Sequence, residues 1–235
     1  MNKLTIVIPL YNDLASAKPL IDQIADCRDE KSVSFLLIDN GSETAGLEEA
    51  VLASKSENLQ LLRVEKNQGF GGGIMTGIDT VVTSHVGWMP GNLKVTPRDA
   101  IGLWLAWDKT EGSAVKASRN RASRVEAAKT LIAGIFSSAA HNARLFDSGG
   151  TPTMVATKFM QSLSQQSPKG YEFEVFTLLA MRRAGVRVLR SKVEYRRRRY
   201  GSSHWQTSTS AELRLLASML RHRRLWSKQL QGIKK

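Results

Sequence analysis

Four short apolar runs rich in β-branched residues open the chain and alternate with helical patterns, and this alternation constrains the fold more than any other feature. "LTIVIPLY", from Leu4, is followed by "ASAKPLIDQIADCRDE", which spaces Leu20, Ile21 and Ile24 along one helical face. "VSFLLIDNGS", from Val33, repeats the strand and stops in Asn-Gly-Ser turn chemistry, and "GLEEAVLASKS" forms a second helix with Leu47, Val51 and Leu52 on one side. "LQLLRVEKNQGFGGG" is a third strand running into a glycine-rich turn, "IMTGIDTVVTS" a third helix from Ile74, and "HVGWMP" a fourth strand. Strands alternating with helices at this spacing imply an α/β fold with a mostly parallel sheet covered on both faces. Ligands on such sheets gather outside the carboxyl ends of the strands, where the loops carrying Asn12, Asp39 and Gly69 lie.

After Pro97 the pattern becomes mainly helical. "RDAIGLWLAWDK" and "RVEAAKTLIAGIFSSAAH" read as helices, "TPTMVATKFMQSL" is mixed, and "YEFEVFTLLAMRRAG" is a helix closed by Gly185 before a strand "VRVLRSKVEY". The last piece, "SAELRLLASMLRHRRLW", sets Leu213, Leu216, Met219 and Leu220 on one stripe with arginines beside it, a basic amphipathic helix. With 235 residues, 42% of them hydrophobic, the chain can fill one sizeable core without staples. A single cysteine, Cys27, rules out an internal disulfide and fits a reducing compartment. "TLIAGIFSSAA", the most apolar later stretch, is shorter than the roughly 20 residues that span a bilayer, and "MNKLTIVIPLYND" is broken by Pro9 and does not read as a signal peptide. The expected location is cytoplasmic.

Charge divides the chain. Residues 1 to 92 hold 7 Lys+Arg against 12 Asp+Glu, and residues 93 to 235 hold 27 against 9, so the net charge of +13 is −5 in the first part and +18 in the second. That split points to an anionic partner held by the second part: a phosphorylated substrate, nucleic acid or an anionic lipid surface. "EYRRRRYGSSHW", Glu194 to Trp205, is its densest stretch, where arginines can grip phosphates and aromatics can stack on a base or sugar. Asp39 sits at a strand end, where it can cap a turn or accept hydrogen bonds from a ring N–H or ribose hydroxyl. "NQGFGGGIMTG" frees the backbone for close approach at a helix start, but it fits neither the dinucleotide fingerprint nor a P-loop. His85, His141, His204 and His222 show no metal-ligand spacing, and no G-x-S-x-G elbow is present.

Taken in order, these stretches resemble the family 2 glycosyltransferases, in particular the branch containing dolichol-phosphate mannose synthases. "IVIPLYND" is similar to the opening strand and its Tyr-Asn-Glu turn, with Asp13 in the acidic place; "LLIDNGS" resembles the Asp-Asp-Gly-Ser turn, with Asn40 in the second Asp position. "NQGFGGGIMTG" is similar to the Asn-x-Gly-x-Gly segment, and "ASR", Ala117 to Arg119, to a Gly-Ser-Arg strand. "FDSGGTPTMV" resembles the segment whose Asp, here Asp147, lies near the acceptor, and "YEFEVFTLLAMRRAGVRV" and "VEYRRRRYGSSHW" resemble a glutamate-bearing helix and an Arg-x-x-Gly-x-Ser ending. The resemblance implies a GT-A type, Rossmann-like fold, a nucleoside-diphosphate sugar donor, inversion at the anomeric carbon, and a polyprenyl-phosphate or glycan acceptor at the inner face of a membrane, as in cell-envelope polysaccharide synthesis.

It also implies site residues. Pro9, Tyr11, Asn12, Asp13, Asp39, Gly69, Gly71, Asn92 and Arg119 fall to the nucleotide donor, Asp147 to acceptor positioning or base work, and Arg199 and Ser203 to the acceptor phosphate. The family's Asp-x-Asp falls on Pro90-Gly91-Asn92-Leu93-Lys94, which loses two carboxylates and gains a cation. A leaving nucleoside diphosphate needs neutralisation by metal or fixed cations. The expectation is therefore weak or no divalent-ion binding (Mg²⁺ or Mn²⁺), with Asn92 the sole candidate ligand and with Lys94, Arg119 and Arg199 on the diphosphate. The expected organisation is a domain over 1–205, its nucleotide half at 1–96 and acceptor half at 97–205, with a basic helical tail at 206–235. Two rivals stay open on the residues: a non-catalytic nucleotide-sugar binder of the same fold, and a nucleic-acid-binding protein built on the arginine loop.

Overall fold

A computed structural model describes residues 3–120, 124–198 and 209–231. The order is β1 (Leu4–Leu10), α1 (Leu14–Ala25), β2 (Val33–Asn40), α2 (Leu47–Ser54), β3 (Leu59–Val64), α3 (Gly69–Thr80), β4 (His85–Trp88) and α4 (Pro97–Ala106). The chain continues through β5 (Ser113–Asn120), α5 (Arg124–His141), β6 (Thr153–Ala156), α6 (Thr157–Gln161), α7 (Phe173–Arg183), β7 (Arg187–Glu194) and α8 (Thr209–Gln229). One seven-stranded sheet, in the order β3-β2-β1-β4-β6-β5-β7, runs through the described chain. β1 pairs parallel with both β2 and β4, β2 with β3, and β5 with β7; β6 lies antiparallel between β4 and β5. Strands β1 to β5 and β7 therefore end at one edge, and the strand order reverses beside β1, where open α/β sheets leave a crevice for a ligand.

Each face of the sheet buries a core. On one side Val7, Ile38, Ile74, Ile78, Trp88, Phe173 and Phe176 pack under α3 and α7; on the other Ile6, Ile8, Leu20, Ile24, Phe35 and Trp104 pack under α1 and α4. Trp226 and Leu230, near the end of α8, are buried in the first core, and Trp226 stacks on His141 of α5 at 5.3 Å. They anchor the tail helix. Leu220, placed on its apolar stripe by the sequence, is half exposed, while the side chains of Leu213, Leu216 and Met219 lie outside the described residues.

Three elements differ from the sequence reading. α3 begins at Gly69, not Ile74, so the glycines form its first turns instead of a turn before it. Glycine weakens an isolated helix by about 1 kcal/mol per residue, but here the missing side chains let the helix dock: a Cβ on Gly71 would overlap the Pro168 carbonyl and lie 2.6 Å from Phe173 Cβ. β5 and β6 were also largely missed. "SAVKASRN" carries a lysine and an arginine inside a strand, and both turn out to be paired.

Candidate active site

The turns after β1 and β2 are held by side chains bonded to backbone. Asn12, at φ 49, accepts from Glu43 N at 2.9 Å and from Thr44, while its own N–H donates to Ser42 Oγ at 3.0 Å. Asp39 is buried, accepts from Ser42 N at 2.9 Å, and faces Arg63 Nε at 3.6 Å. Asn40 donates to Gly69 O at 3.0 Å and accepts from Gln68 N at 3.0 Å. An amide can do both; a carboxylate in its place could only accept. Gly69, at φ 77, has its Cβ position 2.5 Å from Lys169 O. The close approach that the sequence reserved for a ligand at Gly69 and Gly71 is thus made to residues 168–173. Pro9 and Tyr11 lie half buried at the end of β1.

The segment after β4 explains the other departure from the Asp-x-Asp pattern. A side chain at Gly91 would meet Leu10 Cδ2 at 2.5 Å, and Leu93 and Val95 are buried, so alternate residues anchor this segment in the core. Leu93 takes φ 56, an uncommon conformation for a branched residue. Asn92 and Lys94 are left half buried at the surface. Asn92 Oδ1 accepts from Lys94 N at 3.2 Å, and the Lys94 ammonium stands 5.7 Å from the centroid of the Tyr195 ring.

Arg119, at the end of β5, brings its guanidinium carbon to 5.9 Å from the same ring. Two cations expected at the diphosphate thus converge on one aromatic face system at the carboxyl edge, joined there by Asp147. Arg119 donates from Nε to Asp147 Oδ1 at 2.7 Å and from its backbone N–H to Oδ2 at 3.2 Å, with a second guanidinium contact to Oδ1. Arg190 fixes the backbone beneath by donating to Phe146 O at 2.8 Å and Asp147 O at 3.1 Å. Burial pushes the Asp147 carboxyl up, but the Arg119 charge and hydrogen bonds, with Arg190 behind them, outweigh it and hold the group below the usual carboxylate range. So placed, Asp147 is a weak base and a strong anchor for Arg119.

The arginine stretch after β7 crosses this edge. Arg196 N donates to Lys94 O at 2.8 Å, and its guanidinium pairs with Asp99, which also caps α4 through Thr96. Arg198 pairs with Asp13, the N-cap of α1. Arg199 and Ser203 lie outside the described residues. Beneath the edge sits a network that sequence reasoning did not find: Lys116 Nζ, fully buried, donates to Glu174 Oε2 at 2.8 Å and Thr153 Oγ1 at 2.7 Å, and Trp88 Nε1 donates to Glu174 Oε1 at 2.9 Å. Burial pushes the Lys116 ammonium down and Glu174 opposes that shift. The pair joins β4, β5, β6 and the first turn of α7, the elements that carry Lys94, Arg119, the Asp147 loop and residues 168–172. A lysine inside a strand, facing a helix with an apolar neighbour on each side of its glutamate, was the available signal.

Residues 5–183 match the profile of glycosyl transferase family 2. The chain belongs to this family. A curated relative, dodecaprenyl-phosphate galacturonate synthase of Rhizobium johnstonii, is 31% identical over 105 residues, covering 41% of this chain and 30% of that protein. The match therefore spans less than a third of the relative. Glucosyl-3-phosphoglycerate synthase of Mycobacterium tuberculosis, solved with Mn²⁺, UDP-glucose and phosphoglyceric acid, superposes with a TM-score of 0.70 at 19% identity, over 100% of this chain and 81% of that one. The same enzyme with Mg²⁺ and UDP gives 0.66 over the same shares. At such identity the likeness establishes the GT-A type fold.

The donor set of this family 2 chain does not suit a divalent ion. Among the described residues no group of three His, Cys, Asp or Glu side chains could hold a metal. Asp13, Asp99 and Asp147 at the edge are each paired with an arginine, Asn92 offers one neutral oxygen already used by Lys94 N, and Lys94 adds a positive charge. Hard cations of this kind want several free oxygens, preferably carboxylate.

Proposed function

We propose that this protein transfers a sugar, with inversion, from a nucleoside-diphosphate donor to a polyprenyl-phosphate or glycan acceptor, with little or no dependence on a divalent ion. The convergence of Lys94 and Arg119 on Tyr195 at the crevice beside β1 carries this reading. Charge developing on the leaving diphosphate is best met by cations already fixed in place, which need no reorganisation during the reaction. Arg119 is fixed by Asp147; Lys94 is fixed by the buried Leu93 and Val95 on either side. The turns carrying Asn12, Asp39 and Gly69 supply the rigid wall for the nucleotide.

Asp147 serves on this reading as the positioner of Arg119. A phosphate acceptor is already anionic and needs cationic placement more than a base, which suits a carboxylate held in its weakly basic state. A polyprenyl phosphate also accords with the dodecaprenyl-phosphate named for the relative. No helix among the described residues is long and apolar enough to cross a membrane, so such an acceptor would be met at a membrane surface, with the basic α8 facing anionic lipid at its cytoplasmic side. The nucleic-acid reading loses ground because Arg196 and Arg198 are committed to Asp99 and Asp13.

A thermal-shift screen tests the donor half of the reading: nucleoside diphosphates and their sugars should stabilise the protein more than nucleosides do, with and without Mn²⁺. Stabilisation by a nucleotide-sugar with no turnover on any lipid phosphate would assign the chain to the non-catalytic binders. Steeply salt-dependent RNA binding without any nucleotide effect would overturn the proposal.

A further inference from the structure

Arg63, near the end of β3, is held in place although it lies at the surface. Its side chain is 60% exposed, yet Nη2 donates to Ser42 O at 3.3 Å and Nε faces the buried carboxylate of Asp39 at 3.6 Å. An arginine free in solvent samples many rotamers; these two tethers from the turn after β2 orient the plane of its guanidinium at the carboxyl edge. Nη1 and the second hydrogen of Nη2 have no partner among the described residues. Asp39 itself is badly placed to read a base, because its side chain is 3% exposed, Oδ1 accepts from Ser42 N at 2.9 Å, and Oδ2 is turned to Arg63. The acceptor that the sequence offered to a ring N–H or ribose hydroxyl thus lies behind a guanidinium. What meets a ligand here is a set of donors.

Position along the edge sets which part of a ligand those donors meet. Arg63 stands opposite Asp39 in the register of β2 and β3, and three strand spacings separate β3 from β4, about 14 Å in all. Lys94 and Arg119, the cations that converge on Tyr195, lie beyond β4 and β5. A nucleoside diphosphate laid along the edge with its phosphates at those cations therefore points its base towards β2 and β3.

A guanidinium donates and never accepts, so it pairs with the carbonyl oxygens and bare ring nitrogens of a base and is opposed by an exocyclic amino group. Guanine offers O6 beside N7, the two acceptors that arginine grips bidentately, and uracil offers O4. Adenine and cytosine carry an amino group where those carbonyls stand. We propose that Arg63, positioned by Asp39, sets the base preference of the donor, favouring guanine and uracil nucleotides over adenine and cytosine nucleotides. The inference rests on the reading of the chain as a nucleotide-sugar enzyme and deepens it by naming the class of nucleotide.

Titration calorimetry of the full chain with GDP, UDP, ADP and CDP, and with inorganic pyrophosphate, is the test. Wild type should bind GDP and UDP on the order of tenfold or more tightly than ADP and CDP, as one good arginine–base contact provides. Arg63→Met should bring GDP and UDP down to the level of ADP and CDP and leave pyrophosphate within about twofold. Arg63→Lys keeps the charge but not the planar fork and should lose most of the preference as well. Asp39→Asn, which still accepts from Ser42 N but no longer attracts the guanidinium, should narrow the preference with pyrophosphate unchanged. Thermal unfolding of the unliganded variants checks that they fold, and Arg63→Lys serves if Arg63→Met does not. Equal affinity of wild type for the four nucleotides overturns the inference and leaves the donor reading standing, as does a preference kept in Arg63→Met. An equal loss for all four nucleotides and pyrophosphate in Arg63→Met would overturn it in favour of a phosphate contact. Wild type that binds none of the four overturns both the inference and the reading beneath it.

Discussion

The two ends of the sheet's carboxyl edge are built by different means. Beyond β1 and β2, the polar side chains of Asn12, Asp39 and Asn40 bond to backbone groups and shape the turns, with Arg63 beside Asp39. Beyond β4, β5 and β7, the polar side chains bond to one another as ions: Arg119 with Asp147, Arg196 with Asp99, Arg198 with Asp13, and beneath them Lys116 with Glu174. The first arrangement gives a rigid wall whose parts fail one at a time. The second gives coupled cations whose positions are set by their partners, so that removing one member loosens the next. A site that must place fixed positive charge without carboxylates for a metal is better served by the second.

The largest stability contrast should come from the buried pair. Glu174→Leu strands the Lys116 ammonium in the core and should cost about 3–5 kcal/mol in urea unfolding, whereas Lys116→Met/Glu174→Leu should recover much of that loss. A single variant within about 1 kcal/mol of wild type would contradict the network. On turnover, Arg119→Ala should lower kcat on the order of a hundredfold or more, as removal of a fixed transition-state charge does. Asp147→Asn, which keeps the shape but loosens the arginine, should cost less and should not shift the pH dependence of kcat near neutrality. An ascending limb lost in Asp147→Asn would instead make Asp147 the base.

Smaller effects separate the backbone-bonded wall from the ionic one. Asn40→Asp moves the chain towards the more usual family sequence, yet should destabilise it by about 1–3 kcal/mol, because a carboxylate cannot donate to Gly69 O. Thermal unfolding that rises would place the weakness of this turn elsewhere. Acid sensitivity gives the subtlest contrast. The folded-state pKa of Asp147 is depressed, so its stabilising contribution is complete above the ordinary carboxylate value and fades as pH falls through the lower folded value. The stability of wild type should thus fall more steeply than that of Asp147→Asn below about pH 4; parallel profiles would show the pair to be weak.

The same contrast separates what could be read in the sequence from what could not. The βαβ alternation through residue 90 declares itself because each strand is a continuous apolar run between turn residues, and a parallel sheet buries both of its faces. Pro97 with the Thr96–Asp99 box likewise marks the start of α4. β5 was hidden because Lys116 and Arg119 make "SAVKASRN" look like surface, and their partners Glu174 and Asp147 lie 58 and 28 residues away. The glycine run was legible as a place of close approach but not as to what approaches, since residues 168–173 that fill it come from another part of the fold. The tail helix was recognisable as amphipathic, but Trp226 and Leu230, its buried residues among the described side chains, lie outside the stripe that marked it.

Sugar transfer from the donor nucleotide identified by thermal shift to a short polyprenyl phosphate, measured in excess chelator, tests the role of the fixed cations most directly. Wild type should retain its rate within about twofold and Lys94→Ala should fall on the order of a hundredfold under the same conditions. Strict restoration of the wild-type rate by Mg²⁺ or Mn²⁺, with Lys94→Ala unaffected, would contradict it.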